Sequence, residues 1–265
     1  MQRSYPTEFV FQAAALLLSL ILVHGLYVTV VRPAADEVLA ERAAARESDP
    51  DFVEQRSAWV IVRDFEQEAC FVLFLWATAI LAFKGVATWR QQRLLGRQLV
   101  PRSEGTRILP EDAREYARHL EALPEHDRRS LLPKALMTSL YRFGSTRDIQ
   151  NVAETSKALC DAESDRLDSE LSMVRYIAWA IPSIGFIGTV RGIGEALGQA
   201  HRAVEGEIAG VTQSLGVAFN STFIALLISI VLMFLLHQVQ LQQERLVLDS
   251  EAYLDQQLIQ HLRVR

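Results

Sequence analysis

The stretch IPSIGFIGTVRGIGEALG, Ile181 to Gly198, decides how the rest of the chain is read. It lies inside an apolar run, yet it holds a proline, five glycines, a threonine, an arginine and a glutamate. A helix that faces only lipid has no need of such residues, and charges there are unfavourable unless paired or turned towards protein or water. Pro182 removes a backbone donor and is expected to bend the helix near its inner end. Gly188 and Gly192 stand at i, i+4, as do Gly194 and Gly198, and Gly185 extends the first of these faces. Small residues at that spacing let two helix backbones approach closely.

Working outward, three further apolar runs approach the roughly 20 helical residues that a bilayer core requires. The four runs are Phe9–Val31, Ala69–Trp89 with Lys84 near its end, Val174–Ala200 and Leu215–Leu236. The first is far longer than a signal-peptide core and no small-residue cleavage site follows it. Half of the 265 residues are hydrophobic, and the net charge of −5 gives no reason to expect nucleic acid. The two cysteines, Cys70 and Cys160, lie in unlike surroundings and offer neither a disulfide framework nor metal-ligand spacing.

Basic residues set the expected orientation. Lys84, Arg90, Arg93, Arg97 and Arg102 crowd the exit of the second run, whereas 33–68 is acidic through Asp36, Glu37, Glu41, Glu47, Asp49, Asp51, Glu54, Asp64, Glu66 and Glu68. The positive-inside rule then makes both termini cytoplasmic. The reading is an all-α membrane protein with four transmembrane helices. Residues 1–32 are a cytoplasmic N-terminus and the first span, 33–68 a periplasmic segment broken near "SDPD", and 69–89 the second span. Residues 90–173 form a cytoplasmic helical domain, 174–236 a hairpin of the third and fourth spans, and 237–265 a cytoplasmic C-terminal helix. Within 90–173, "PEDAREYARHLEAL" places Pro110 and Glu111 in a first turn, and the segment from "TRDIQNV" is expected to run straight into the third span. Leu254, Leu258, His261 and Leu262 make an amphipathic stripe. It packs either on this chain's own helices or between subunits around an oligomer axis.

The hairpin carries one threonine deep in each arm, Thr189 and Thr222, symmetric about a polar turn centred near residue 206. Each is about 15 Å from the outer edge at 1.5 Å per residue, which sets both hydroxyls near the midplane. Either each hydroxyl bonds its own i−4 carbonyl, or the two line a path for an ion or a partner's carboxyl group. Arg191 and Glu195 pair at i, i+4 and lie about 200° round the helix from Thr189 in the case of Arg191. His24 falls at a similar depth, so His24, Arg191 and Glu195 are expected to form one polar cluster, either an anchor or an ion relay. Glu195 is the deep carboxyl group expected in this chain, and it is off the threonine face. A channel made of this chain alone would lack a carboxylate relay.

"IPSIGFIGTVRGIGEAL" and "GVAFNSTFIALLISI" together resemble the channel helices of the MotA/TolQ/ExbB proton channel family, over about Arg175–Leu236. Thr189 and Thr222 fall on that family's threonines, Leu226 and Ile230 on its leucine and isoleucine. The resemblance implies an inner-membrane motor subunit, not an enzyme. It forms a pentamer around two copies of a single-span partner of the MotB/TolR/ExbD kind, whose membrane aspartate carries the ion. Thr189 and Thr222 would line the path, Pro182, Gly185, Gly188 and Gly192 would shape and pack the helix, and no cofactor or metal is implied. The likeness to TolQ and ExbB favours protons over sodium, while the four-span layout is more like MotA. The chain departs from the family at Val217, where TolQ and ExbB carry a glutamate, at Ala225 in place of a glycine, and at the charged Arg191. The other reading is a non-conducting membrane scaffold. The process that such a motor drives is not written in this chain.

Overall fold

The computed structural model describes residues 5–48, 57–100 and 107–264. The expected break at 49–51, together with Asp49, Asp51, Glu54, Pro101 and Arg102, lies outside them. Among the described residues the chain is helical apart from turns and one isolated bridge between Ile108 and Leu262. In order, the helices are α1 (Tyr5–Leu26), a π-helical turn (Tyr27–Val31), α2 (Arg32–Ser48), α3 (Ala58–Ile61), α4 (Phe65–Leu95), α5 (Ala113–Glu121), α6 (Glu125–Arg128), α7 (Leu131–Thr146), α8 (Ile149–Glu170), α9 (Ser172–Gly198), α10 (Ala200–Val204), α11 (Ala209–Gln257) and a 3₁₀ turn (Ile259–His261). Four helical stretches are long and apolar enough to cross a membrane: Glu8–Ala45, Phe65–Leu95, Ile149–Gly198 and Ala209–His261. The chain is an all-α, multi-pass membrane protein.

The chain divides into two compact units, Met1–Leu81 with Met173–Leu236, and Ala82–Ser172 with His237–Arg265. In the first unit, α1 runs through the π turn into α2 without a break. Pro33 explains the π turn. A proline ring clashes with the carbonyl four residues back and has no N–H to give it. Widening the preceding turn relieves that crowding, and the Arg32 N–H accordingly reaches back five residues to the Tyr27 carbonyl.

Element ends differ from those expected. The second membrane helix begins at Phe65, so Glu66 and Glu68, expected in the 33–68 segment, occupy its first turn. Two carboxylates there suit the positive end of the helix dipole, and each is also paired with a cation. The polar turn centred near residue 206 is short, because α10 and the start of α11 take up most of the residues around it. Gly206 has φ +97°, a backbone conformation that glycine adopts without strain. Trp76 Nε1 donates to the Gln12 carbonyl at 2.9 Å and ties α4 to α1.

The second unit is built on large aliphatic side chains. Leu136, Leu140 and Phe143 of α7 are fully buried, with Val152 of α8 and Leu254, Leu258 and Leu262 of the chain's end in the same cluster. The C-terminal stripe therefore packs on this chain's own helices, the first of its two expected uses. His261 sits at its edge, and its carbonyl accepts from the Ile108 N–H at 3.0 Å. Asp148 caps α8 by accepting from the N–H groups of Gln150 and Asn151 at 2.9 and 3.3 Å. Between α8 and α9 a single residue, Leu171, leaves the helical path. Helix α5 begins at Ala113, after a turn that holds Pro110 and Glu111. Lys84, buried near the end of the apolar part of α4, bonds Glu170 at 2.6 Å.

Candidate functional site: the α9–α11 seam

The seam starts with three side chains that are missing. A Cβ added to Gly185 would stand 2.5 Å from the Cβ of Ala225. One on Gly188 would meet Ser221 Cβ at 2.5 Å, and one on Gly192 the Ser214 carbonyl at 2.7 Å and Ala218 Cβ at 2.8 Å. The opposing residues Ser214, Ala218, Ser221 and Ala225 recur at i, i+4, i+7 and i+11 on α11, and all are buried. Ala225 is where the family's glycine would stand, and its methyl lies over Gly185. Small faces on both helices let the backbones touch, which allows polar bonds between them.

Those bonds form at the two threonines, and they cross over. Thr189 Oγ1 lies 3.1 Å from the Ala218 carbonyl, the i−4 carbonyl of Thr222. Thr222 Oγ1 lies 3.0 Å from the Gly185 carbonyl, the i−4 carbonyl of Thr189. The hydroxyls also contact each other, and Thr189 keeps a longer contact of 3.3 Å to its own Gly185 carbonyl. Two hydroxyls have two protons, so these four contacts cannot all be hydrogen bonds at one time. The proton positions can exchange by rotating hydroxyls, without moving the backbone. Four oxygens thus converge between α9 and α11, and both threonines are only partly buried.

Pro182 lies inside α9, which continues through it. The carbonyl that loses its intrahelical donor is that of Ala178, four residues back. Ser229 Oγ of α11 donates to that carbonyl at 3.3 Å, and Cys70 Sγ of α4 reaches the Ile181 carbonyl at 3.7 Å. In a bilayer core, where water cannot fill the gap, a replacement donor such as the Ser229 hydroxyl is what makes a proline tolerable.

The charged residues separate into two groups rather than the one expected. Arg191 donates through Nε and Nη2 to both oxygens of Glu66 at 2.7 and 2.9 Å, and through Nη1 to Glu195 at 3.1 Å. His24 bonds Glu68 at 2.7 Å instead, and Arg32 bonds the other oxygen of Glu68 at 2.5 Å. Arg32 also lies 4.5 Å over the Phe65 ring. Arg191 and Glu195 thus come together as read from the sequence, and His24 stands apart from them. The residues that divide them, Glu66 and Glu68, were not expected in the spans. Their position at the very start of an apolar run is the available signal. Glu66 also packs against the hairpin: its Cγ lies 3.1 Å from the Cβ position of Gly188, the residue before Thr189. Just before α4, burial pushes the Asp64 carboxyl up from its usual range, with Arg63 and Arg191 opposing that rise.

Gly194 and Gly198, the second glycine pair, have open space around their Cβ positions. Among the described residues no cluster of three or more His, Cys, Asp or Glu is arranged to hold a metal ion.

A family model described as the MotA/TolQ/ExbB proton channel family matches residues 127–252. That span holds α7 to α10 and most of α11, with both threonines and the whole seam. Over this segment the chain is similar to the MotA/TolQ/ExbB proton channel family. No match is found among curated proteins or among solved structures. The MotA/TolQ/ExbB segment includes Arg191 and Glu195, whereas Glu66, Glu68, His24 and Arg32 lie outside it. The charged clamp on the seam therefore joins a family helix to a helix beyond the matched segment.

Proposed function

We propose that this chain is the channel-forming subunit of a proton-driven rotary motor in a bacterial inner membrane. Five copies surround two copies of a single-span MotB/TolR/ExbD-like partner, and a membrane aspartate of that partner carries the ion past Thr189 and Thr222. The observation that carries this reading is the crossed threonine pair, set in a glycine-carved seam within the family segment. Its two hydroxyls and two carbonyls offer oxygens that can orient water or solvate a cation. Their protons can reorient without displacing either helix. A partner's carboxylate supplies the titrating group, because the carboxylates near the seam are held in ion pairs. The basic residues after the second apolar run support cytoplasmic termini.

The test is to purify the chain with the product of an adjacent reading frame that encodes one span with an inner aspartate. The subunits are counted and ion flux is measured in vesicles. Thr189→Val with Thr222→Val keeps shape and removes both crossed bonds, and is expected to abolish flux while leaving assembly intact. Unchanged flux, or unchanged activity without flux, points to a non-conducting scaffold in which the hydroxyls only hold two helices together. Replacing sodium at fixed pH identifies the ion, and loss of activity without sodium overturns the assignment to protons.

A further inference from the structure

We propose that Glu195 is the cation-selecting charge beside the ion path, standing next to an Arg191–Glu66 pair whose charges cancel. This rests on the reading of Thr189 and Thr222 as ion-path residues. The argument begins from a count. One guanidinium serves two carboxylates, so the group carries one negative charge in excess. The second group on α4 is different: Arg32 balances Glu68 one to one, before any charge on His24.

The geometry shows which carboxylate is in excess. Glu66 takes both strong donors of Arg191 in a bidentate bond, and its side chain is 11% exposed. Glu195 takes the one remaining donor at the longest distance of the three, and its side chain is 46% exposed. Glu66 is thus the anchor that fixes and neutralises Arg191, and Glu195 is left open. An excess charge within an apolar helix is unfavourable in lipid, and such residues face water or a cavity. Arg191 alone would repel cations from the neighbouring threonines. With two carboxylates the sign of the local field is reversed.

The distances are short enough to matter. Glu195 is six residues from Thr189, about 9 Å along α9 and on another side of a helix about 10 Å across. One unit charge at about 13 Å, with an effective dielectric of about 20, changes cation occupancy roughly tenfold. Charged side chains near a pore select ions in this way. Arg63 likewise faces two carboxylates, Asp36 at 3.5 Å and Asp64 at 3.8 Å, so these three add negative rather than positive charge on the α4 side.

The experiment uses the complete complex in vesicles, with cation flux measured at low and at high salt and assembly followed by size exclusion. Glu195→Gln removes the excess charge and leaves the bidentate anchor in place. It should lower flux about tenfold at low salt and much less at high salt, because screening weakens a field effect. Glu195→Lys should lower it further. Glu66→Gln with Arg191→Gln deletes the anchor and keeps the excess charge on Glu195, so flux should stay within about threefold of the unaltered complex. A purely structural clamp reverses this order, with the double variant worst and Glu195→Gln near normal, and that order overturns the proposal. If the double variant does not assemble, the Glu195→Gln and Glu195→Lys pair decides alone, and flux that is flat or equally reduced at both salt levels overturns it. The threonine double variant separates the two ideas. Flux lost there but insensitive to Glu195 removes this proposal only. Flux that survives the threonine change removes the ion-path reading beneath it.

Discussion

Two helix pairs in this chain solve the same packing problem with opposite materials. Along α9 and α11, glycines meet serines and alanines, and hydroxyls bond carbonyls of the facing helix. Along α7 and α8, the contact is made by Leu136, Leu140, Phe143 and Val152, with one hydroxyl pair, Ser139 and Ser156, enclosed at 2.7 Å. The difference is the one expected between a helix pair in water and a helix pair in lipid. In water, burying apolar surface gains about 25 cal/mol per Å², so large side chains are the economical choice. In lipid that gain is absent, because the surroundings are as apolar as the side chains. Close backbone contact and polar bonds then hold the helices together.

The comparison breaks hardest at Gly188. Its Cβ position is already 2.5 Å from Ser221 Cβ, 2.6 Å from Ser221 Oγ and 3.1 Å from Glu66 Cγ. Gly188→Leu has nowhere to go and must part α9 from α11, separating Thr189 from the Ala218 carbonyl. The expected outcome is loss of flux and of most assembled complex, read by size exclusion in detergent. Normal assembly and flux would show that the seam tolerates separation, and that the small residues are not what brings the threonines together.

Leu140→Ala breaks the other pair in the other way. It leaves a cavity among side chains that do not collapse fully, and should destabilise α7 and α8 by about 2–5 kcal/mol. Hydrogen exchange resolved along the chain should show faster exchange in α7 and α8, with the Thr189–Thr222 region unaltered. Equal loosening of α9 and α11 would mean that the two packings are not independent.

How much of this was legible beforehand follows from the same contrast. The four spans, the close-packing face of Gly185, Gly188 and Gly192, and the threonine pair are patterns within one or two segments, which periodicity records. The crossing of the two hydroxyl bonds is not, because the sequence gives each threonine's own i−4 carbonyl but not the neighbour's. Equal depth about the turn pairs the two threonines in the sequence and the family resemblance agrees, yet neither speaks of Glu66 and Glu68, which lie outside the matched segment. These acids were placed in the 33–68 segment because charge ended the apolar run at Ala69. The helix nevertheless begins at Phe65, since its first turn favours carboxylates and Arg191, Arg32 and His24 neutralise them. A charge that has a partner on another helix looks in the sequence like a boundary. His24 was matched to Arg191 and Glu195 by depth alone, and depth does not say which side of a helix a residue faces. The replacement of the Pro182-freed carbonyl bond by Ser229 was hidden for the same reason.

Gly194 gives the smallest effect and sharpens the comparison most. It has the i, i+4 spacing with Gly198 that Gly188 has with Gly192, yet among the described residues nothing comes within 4 Å of its Cβ position. Gly194→Ala should therefore be harmless to a single chain. In a helix interior the change favours folding by about 0.5–1 kcal/mol, because alanine has less backbone freedom to lose. The heat stability of the dispersed chain should rise slightly, whereas Gly188→Ala lowers it. The assembled complex provides the second reading. If Gly194→Ala leaves the subunit count and flux unaltered, close packing of small residues is confined to the α9–α11 seam. If the dispersed chain is stable while the assembled form is lost, the Gly194 face meets a backbone from another copy. The small-residue rule that joins two helices within the chain would then also join neighbouring subunits.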